Sequence, residues 1–272
     1  MISNQSRITN HQSPSFLTGI VGYPLEHTLS PQMHNAAFKA LGMQGEYRRL
    51  PVTREKLPEL LQQLAGEGYK GVNVTIPHKE EALILADWLS EEARSAGAVN
   101  TLVFEKSGDI KGYNTDIHGF SRSLQLLDIT VTGKSVLILG AGGAARACGY
   151  ALHALKPGKM FVANRTEQRA LMAASAIDAE PMALTKISAV LRSIDFVVNT
   201  LPLDVTEKVM SAMRPDSVYY DLNYRFTKKP DTGRVRFVNG LLMLVLQGAE
   251  AFRIWTGVKP PETEMLKAVG YE

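Results

Sequence analysis

The sequence predicts an α/β chain built as two domains, and three observations carry that reading. Strand-like runs rich in β-branched residues alternate with helix-like runs, the pattern of parallel sheets covered by helices. The length, 272 residues, allows one large domain or two medium ones. Near Asp116 the pattern restarts, with a helix, a buried strand, a glycine turn and a second helix.

The elements follow in order. "FLTGIVG" (16–22) reads as a first strand, and "SPQMHNAAFKALG" (30–42) as a helix with a serine cap, proline in its first turn and glycine at its end. "GEYRRLPV" is a second strand, "REKLPELLQQLAGEG" a second helix and "GVNVTI" a third strand. A helix is predicted from about His78 to Leu89. "AVNTLVFEKSGDIKGYNTD" reads as a hairpin turning at Ser107, Gly108 and Asp109. "HGFSRSLQLLD" opens the second unit as a helix, and "KSVLIL", "KMFVANR", "DFVVNT" and "SVYYDLNY" are its strands, with helices between them. A last helix runs from Gly240 to Trp255 and stops at Gly257. The expected boundaries are a disordered tail over 1–15, a first domain over 16–115 to which 240–272 returns, and a second domain over 116–239. The cleft between the domains is the expected site.

Composition removes several classes of function. The chain is 45% hydrophobic and 21% charged, an ordinary globular balance. A net charge of +3, dispersed along the chain, argues against nucleic acid. The longest apolar stretch, "GLLMLVL", is far short of the roughly 20 residues that a membrane span needs. The polar first fifteen residues lack the apolar core of a secretory signal. A single cysteine, Cys148, precludes an internal disulfide framework and suits a reducing cytosol. No His/Cys cluster has metal-ligand spacing, so no metal is expected. His34 and Asn35 read as capping or packing residues. The expected partner is a small molecule, and the expected state is a monomer or a homodimer.

"NVTIPHKEEA" (73–82) raises a particular question. Val72, Val74 and Ile76 alternate like a half-buried strand. Pro77 suits the first turn of a helix, and Glu80 and Glu81 favour its positive end. This joint projects Thr75 and Lys79 from the end of a sheet. Taken alone, a lysine there reads first as solvated surface.

"LGAGGAARA" (139–147) follows a strand and opens a helix, the context in which G-x-G-x-x-A binds a dinucleotide. Gly140 allows the tight turn, Gly142 lets backbone approach a pyrophosphate, and Gly143 and Ala144 keep the approach open. The helix N-terminus supplies N–H donors and a positive dipole. The second domain is therefore expected to be of Rossmann type. At the end of the next strand, "ANRTEQR" places Asn164 and Arg165 where an NAD binder carries a carboxylate for the ribose hydroxyl, and Arg169 follows one turn later. Guanidinium matches phosphate bidentately, so the pair Arg165 and Arg169 argues for NADP, a solvated helix turn being the alternative.

"GYPLEHTLSPQMHNAAF", "NVTIPHKEEA", "AGAVNT", "GYNTDIHGF", "LGAGGAARA", "NRTEQRA", "YYDLNY" and "NGLLMLVLQGAEAF" occur in the order seen in the shikimate dehydrogenase family, which the chain resembles from about Thr18 to its C-terminus. The resemblance implies reversible, NADP-dependent interconversion of 3-dehydroshikimate and shikimate. It implies Lys79 and Asp116 as the catalytic pair. Thr28, Ser30 and Tyr224 would meet the substrate carboxylate, and Thr75, Asn100, Asp116 and Gln247 its hydroxyls. The cofactor would lie on Gly140, Ala141, Gly142, Gly143, Ala144, Asn164, Arg165, Thr166 and Arg169, with Asn199, Leu222 and Gly240 nearby. The residues agree with this chemistry. Reduction of a ketone needs a proton at the developing alkoxide, which Lys79 can donate while Asp116 holds it in register. A Lys–Asp pair that is only an interdomain salt bridge is the alternative. Gln247 interrupts an apolar helix, so it either meets a polyol or bonds backbone.

The chain departs from the family pattern at several positions. Thr28 stands where serine is usual, Asn199-Thr200-Leu201-Pro202-Leu203 lacks the usual glycine, Asn239 replaces an aspartate, and Leu242 replaces a glycine. Tyr224 and Lys228 spell Y-x-x-x-K by accident, because they follow a strand and enter a turn rather than sharing a helix face. Three other readings stand beside this one. A quinate or quinate/shikimate dehydrogenase shares the fold. A non-catalytic sensor of a shikimate-like ligand is opposed by the intact Lys79 and Asp116. A folate-linked methylene dehydrogenase is opposed by "HTLS" and "NTD".

Overall fold

The computed structural model describes residues 15–225 and 234–271. The tail over 1–14, the turn after Tyr224 and Lys228 lie outside the described residues.

Two six-stranded sheets organise the chain. The first contains β1 (Phe16–Gly22), β2 (Gly45–Pro51), β3 (Gly71–Val74), β4 (Trp88–Leu89), β5 (Thr101–Phe104) and β6 (Ile110–Tyr113), in the order β2-β1-β3-β5-β6-β4. It is not wholly parallel, because β5 runs against both β3 and β6. The predicted hairpin is the reason: Gly108 takes φ +96° at its turn, and Ser107 Oγ donates to Asp109 Oδ2 at 2.7 Å. Helices α1 (Ser30–Ala40), α2 (Leu57–Gly66), α3 (Lys79–Leu85) and α4 (Glu91–Ala96) belong to this unit.

The second sheet contains β7 (Ser135–Leu139), β8 (Lys159–Asn164), β9 (Glu180–Ala183), β10 (Phe196–Asn199), β11 (Val218–Asp221) and β12 (Arg236–Asn239). Its order is β12-β11-β10-β7-β8-β9 and every pairing is parallel. Strand order reverses between β7 and β10, which opens a crevice at the carboxyl ends of the strands, where such sheets bind nucleotides. Helices α5 (Thr115–Leu126), α6 (Gly143–Ala154), α7 (Glu167–Ser175) and α8 (Thr206–Met210) accompany it, followed by α9 (Leu241–Thr256) and α10 (Glu262–Ala268).

The α9 helix joins the two units because it is apolar nearly all round. Met243 enters the core of the second sheet with Ile138 and Val198. Val245, Ala249 and Phe252 pack with Phe38 and Tyr47 of the first unit. Trp255 Nε1 then donates to the Leu102 carbonyl at 2.9 Å, tying the end of α9 to β5. The end of α9 thus packs on the first unit, and Gly257 ends the helix in the left-handed region at φ +68°.

Four local expectations are corrected. The helix predicted over 78–89 ends at Leu85. Asp87 Oδ2 accepts from Ile110 N at 2.8 Å and Trp88 packs on Tyr113, so 88–89 forms an edge strand on β6. Ser90 then caps α4, accepting from Ala93 N at 3.2 Å. Ser30 is not the cap of α1: Leu29 holds that position, and Ser30 is buried in the first turn. Pro77 precedes α3, which begins at Lys79. Strands β9 and β12 escape a pattern reading because each is short and half-exposed.

His34 and Asn35 prove to be packing residues. Asn35 closes a two-bond clasp on Tyr47, accepting from its N–H at 2.8 Å and donating to its carbonyl at 3.1 Å. His34 is fully buried and stacked on the Tyr47 ring at 4.2 Å, and among the described residues neither ring nitrogen has a partner in hydrogen-bond geometry, Asn73 being its polar neighbour. Burial pushes its imidazole down from 6.5 to about 3, opposed in part by Asn73. The folded state therefore refuses a proton that the unfolded chain takes up below 6.5. Stability should fall as pH drops from 6.5 toward 3, by up to about 1.4 kcal/mol per pH unit from this group. Unfolding of the unmodified chain and His34→Phe between pH 6.5 and 4.5 checks it: the variant should lose that slope, and equal slopes refute it.

Candidate active site

Four segments converge on one cluster of polar side chains. β3 ends at Val74, and Thr75 continues the strand direction, its N–H donating to the Val21 carbonyl at 2.9 Å. His78 then anchors the turn through Nε2 to the Val52 carbonyl at 2.8 Å. The Lys79 carbonyl accepts from Val99 N at 2.9 Å, so the backbone of the lysine is held on both sides of the turn. Lys79 Nζ meets Asp116 Oδ2 at 2.6 Å, with side chains only 15% and 8% exposed. Lys79 is thus a half-buried, paired group and not the solvated surface residue that its spacing first suggests.

Asp116 lies in the first turn of α5, where the helix dipole favours its charge. Its second oxygen accepts from Asn100 Nδ2 at 2.8 Å. Asn100 Oδ1 takes the Thr115 N–H at 2.7 Å, one of the donors a helix start leaves unsatisfied. Asn100 Nδ2 also reaches Gln247 Oε1 at 3.3 Å, while Gln247 Nε2 donates to the Leu244 carbonyl at 2.8 Å. Gln247 thus bonds backbone, and its amide oxygen also joins the polar cluster.

Beneath this cluster runs a buried relay that sequence reasoning missed. Tyr47 Oη donates to Asn73 Oδ1 at 2.8 Å, and Asn73 Nδ2 donates to Thr101 Oγ1 at 2.9 Å. Thr101 Oγ1 donates in turn to Asn100 Oδ1 at 3.1 Å. Tyr47 also interacts with Ser30, and burial pushes its phenol well above the usual range, so it stays a neutral donor. The only signal was an asparagine in an apolar run, Asn73 between Val72 and Val74. Ser30 and Thr28 are joined by a 3.2 Å bond between their hydroxyls, and Tyr224 lines a cavity with Thr28.

The glycine turn lies across the cleft. Gly140 takes φ +110°, and a Cβ there would stand 2.3 Å from Thr200 Oγ1. Gly142 caps α6, and a Cβ built on it meets nothing within 4 Å, an open cradle at a helix N-terminus. Gly143 serves the junction, for a Cβ there would come within 3.2 Å of the Lys79 side chain and 3.1 Å of Ala98. Nearby, Arg146 Nη2 donates to Glu80 Oε1 at 3.0 Å and to the Gly97 carbonyl at 2.9 Å, binding α6 to the first domain. Ala141 is buried at the turn and Ala144 lies in the first turn of α6.

Asn164 ends β8, its Nδ2 donating to the Thr166 carbonyl at 3.1 Å, and Thr166 holds the N-cap position of α7. Arg165 and Arg169 are exposed beside it, and neither forms an ion pair among the described residues. Asn199, Leu222 and Gly240 meet at the carboxyl ends of β10, β11 and β12: Leu222 N donates to the Asn199 carbonyl at 2.9 Å, and a Cβ on Gly240 would strike the Leu222 carbonyl. Asp221 holds this corner. It accepts from Asn199 Nδ2 at 3.2 Å, Thr206 Oγ1 at 3.2 Å and Asn223 N at 2.8 Å, and its burial raises its pKa. Asp221 thus ties both ends of the 199–206 loop to β11, contacts that its position inside "YYDLNY" did not reveal. Among the described residues no group of three or more His, Cys, Asp or Glu is arranged to hold a metal, and no helix is long and apolar enough to cross a membrane.

A doubly wound nucleotide sheet facing a separate polar pocket, with a lysine–aspartate pair at their junction, defines a two-domain dinucleotide-dependent oxidoreductase. Comparison with known proteins makes the class specific. Residues 20–102 match the model of the shikimate dehydrogenase substrate binding domain, 123–217 that of shikimate / quinate 5-dehydrogenase, and 240–269 that of the shikimate 5'-dehydrogenase C-terminal domain. The chain is 45% identical to a shikimate dehydrogenase (NADP(+)) of Carboxydothermus hydrogenoformans over 93% of its own length and 96% of that protein. It superposes on the crystal structure of shikimate dehydrogenase from Aquifex aeolicus with a TM-score of 0.86 at 34% identity, covering 99% and 100% of the two chains. Against the Thermus thermophilus enzyme in complex with NADP(H) and shikimate the TM-score is 0.82 at 35% identity, covering 93% and 98%. The chain belongs to the shikimate dehydrogenase family.

Proposed function

We propose that this chain interconverts 3-dehydroshikimate and shikimate with NADP, a step of aromatic amino-acid biosynthesis. The observation that carries the reading is the 2.6 Å Lys79–Asp116 pair at the junction, with Gly143 of the nucleotide helix against the lysine side chain. The open cradle at Gly142 and the unpaired Arg165 and Arg169 fit the diphosphate and the 2′-phosphate of NADP. Gly140, Ala141, Gly143, Ala144, Asn164 and Thr166 complete that contact, and Asn199, Leu222 and Gly240 flank the nicotinamide end. When bound, the cofactor gives or takes the hydride.

The residues of the chain do the rest. Thr28, Ser30 and Tyr224 hold the substrate carboxylate, and Thr75, Asn100, Asp116 and Gln247 hold its hydroxyls. Lys79 donates a proton to the carbonyl oxygen as it becomes an alkoxide, and recovers it in the reverse direction. Asp116 and Asn100 keep Nζ in one place, so little reorganisation is needed at the moment of transfer. Residues 16–115 with 240–272 form the substrate domain and 116–239 the NADP domain. Buried Cys148 and the lack of a disulfide framework favour the cytoplasm, as a monomer or homodimer.

NADPH oxidation with 3-dehydroshikimate tests the function directly, and an inactive, folded protein overturns it. A quinate dehydrogenase from Corynebacterium glutamicum in complex with NAD also shares the fold, with a TM-score of 0.83 at 29% identity. Quinate carries an added hydroxyl on the carbon that bears the carboxylate. Thr28 brings a methyl group to that end of the pocket, and overcrowding a close-packed site costs about 1–3 kcal/mol. Shikimate should therefore be preferred by at least about tenfold in kcat/KM with NADP. Side-by-side values decide it, and equality or a quinate preference refutes it.

A further inference from the structure

The carboxylate end of the pocket opens to solvent through a cavity of about 520 Å³, whose walls include Glu26, Thr28, Gln32, Arg49, Tyr224 and Arg225. Its inner wall, Thr28 and Tyr224, is the carboxylate site proposed above. Its outer wall carries two guanidiniums, one from each domain. Arg49 projects from β2, and Arg225 follows β11. Both are exposed, and neither forms an ion pair among the described residues. Arg49 Nη2 donates to the Thr28 carbonyl at 3.1 Å, which fixes the guanidinium beside the hydroxyl pair. Among the described residues of the wall, which also include His27, Glu26 is the one carboxylate, so the two arginines leave that lining net positive.

We propose that Arg49 and Arg225 form an outer capture site for the substrate's carboxylate, drawing the anion to the mouth before it docks on Thr28, Ser30 and Tyr224. The inference rests on the proposed function. Hydroxyls alone give a carboxylate hydrogen bonds but no counter-charge, whereas unpaired cations at a cleft mouth raise the local concentration of an anion. The mouth is open to water, so the attraction is screened by salt, with a Debye length of about 8 Å at 0.15 M. Capture therefore acts on encounter and KM and leaves the chemical step alone. It also distinguishes the acid from its neutral esters.

Steady-state kinetics at saturating NADP and varied salt tests the pair, using Arg225→Gln, Arg49→Gln, the double variant, and Arg225→Lys as the charge-keeping control. Each neutral variant should raise KM for shikimate about two- to fivefold at low salt, with kcat within about twofold. Arg225→Lys should stay near the unmodified protein. The double variant should lose the salt dependence of kcat/KM. Shikimate methyl ester, which carries no charge to capture, should be bound and turned over alike by all forms. Calorimetric titration of shikimate onto the protein without cofactor should give the same order of affinities. Equal losses with acid and ester, or an unchanged salt slope in the double variant, overturn the capture site while leaving the function intact. An unmodified protein that neither binds nor turns over shikimate overturns the function and the capture site together.

Discussion

Lys79→Ala should lower kcat by roughly 10²–10⁴, the usual worth of a positioned acid or base, with KM changing much less. The expectation follows from where the ammonium sits. Nζ is 2.6 Å from Asp116 and the side chain is 15% exposed, so water has little access to take its place. The variant also leaves Asp116 buried with only the Asn100 amide, and breaking a buried pair costs stability on the order of 3–5 kcal/mol. Activity must therefore be read on protein shown to be folded by circular dichroism. Lys79→Arg keeps the charge but cannot give up its proton near neutral pH, so it should hold the fold and still lose most of kcat. Near-normal kcat in either folded variant removes Lys79 from proton transfer.

Arg165→Asp should weaken NADP by about 10²–10³-fold and NAD far less. A charge-assisted bond to phosphate is worth about 1.5–3 kcal/mol, and the aspartate adds like-charge repulsion. Arg165 pairs with no carboxylate among the described residues, so its charge is not already committed to the protein. Titration of both cofactors by intrinsic fluorescence measures the ratio. Equal losses for the two, or an unmodified protein that binds them equally, would sink the 2′-phosphate assignment. Arg169, one turn on along α7, should show the same preference to a smaller degree.

Most of the second sheet was legible because a parallel strand buried on both faces writes itself as a continuous apolar run, as 136–139 and 160–163 do. Strands β9 and β12 were not legible, since edge strands bury little and carry no such run. The boundary at 85 was missed for a related reason. Helical spacing continues through 88–89, and what ends the helix is a partner strand 23 residues on, bonded through Asp87 to Ile110. Lys79, Asp116, Asn100 and Gln247 were named through ordered motifs, and the structure brings all four together. Tyr47, Asn73, Thr101 and Asp221 were missed because each looks like an ordinary strand residue, and only their hydrogen bonds set them apart.

By itself the sequence determined what is local: the alternation of strand and helix, the glycine turn before α6, the pair of arginines after β8, and the end of α9 at Gly257. Each follows from backbone freedom, side-chain branching or charge within a few residues. The tertiary structure alone decided which distant groups meet. Lys79 and Asp116 are 37 residues apart, and Asn100 and Gln247 are 147 apart. Their contacts depend on the packing of α5 and α9 and on the close approach of Gly143 to Lys79, and burial turns these contacts from solvated polar groups into a site. An ammonium taken out of water needs a partner, and whether it is taken out of water is settled by packing across the whole chain.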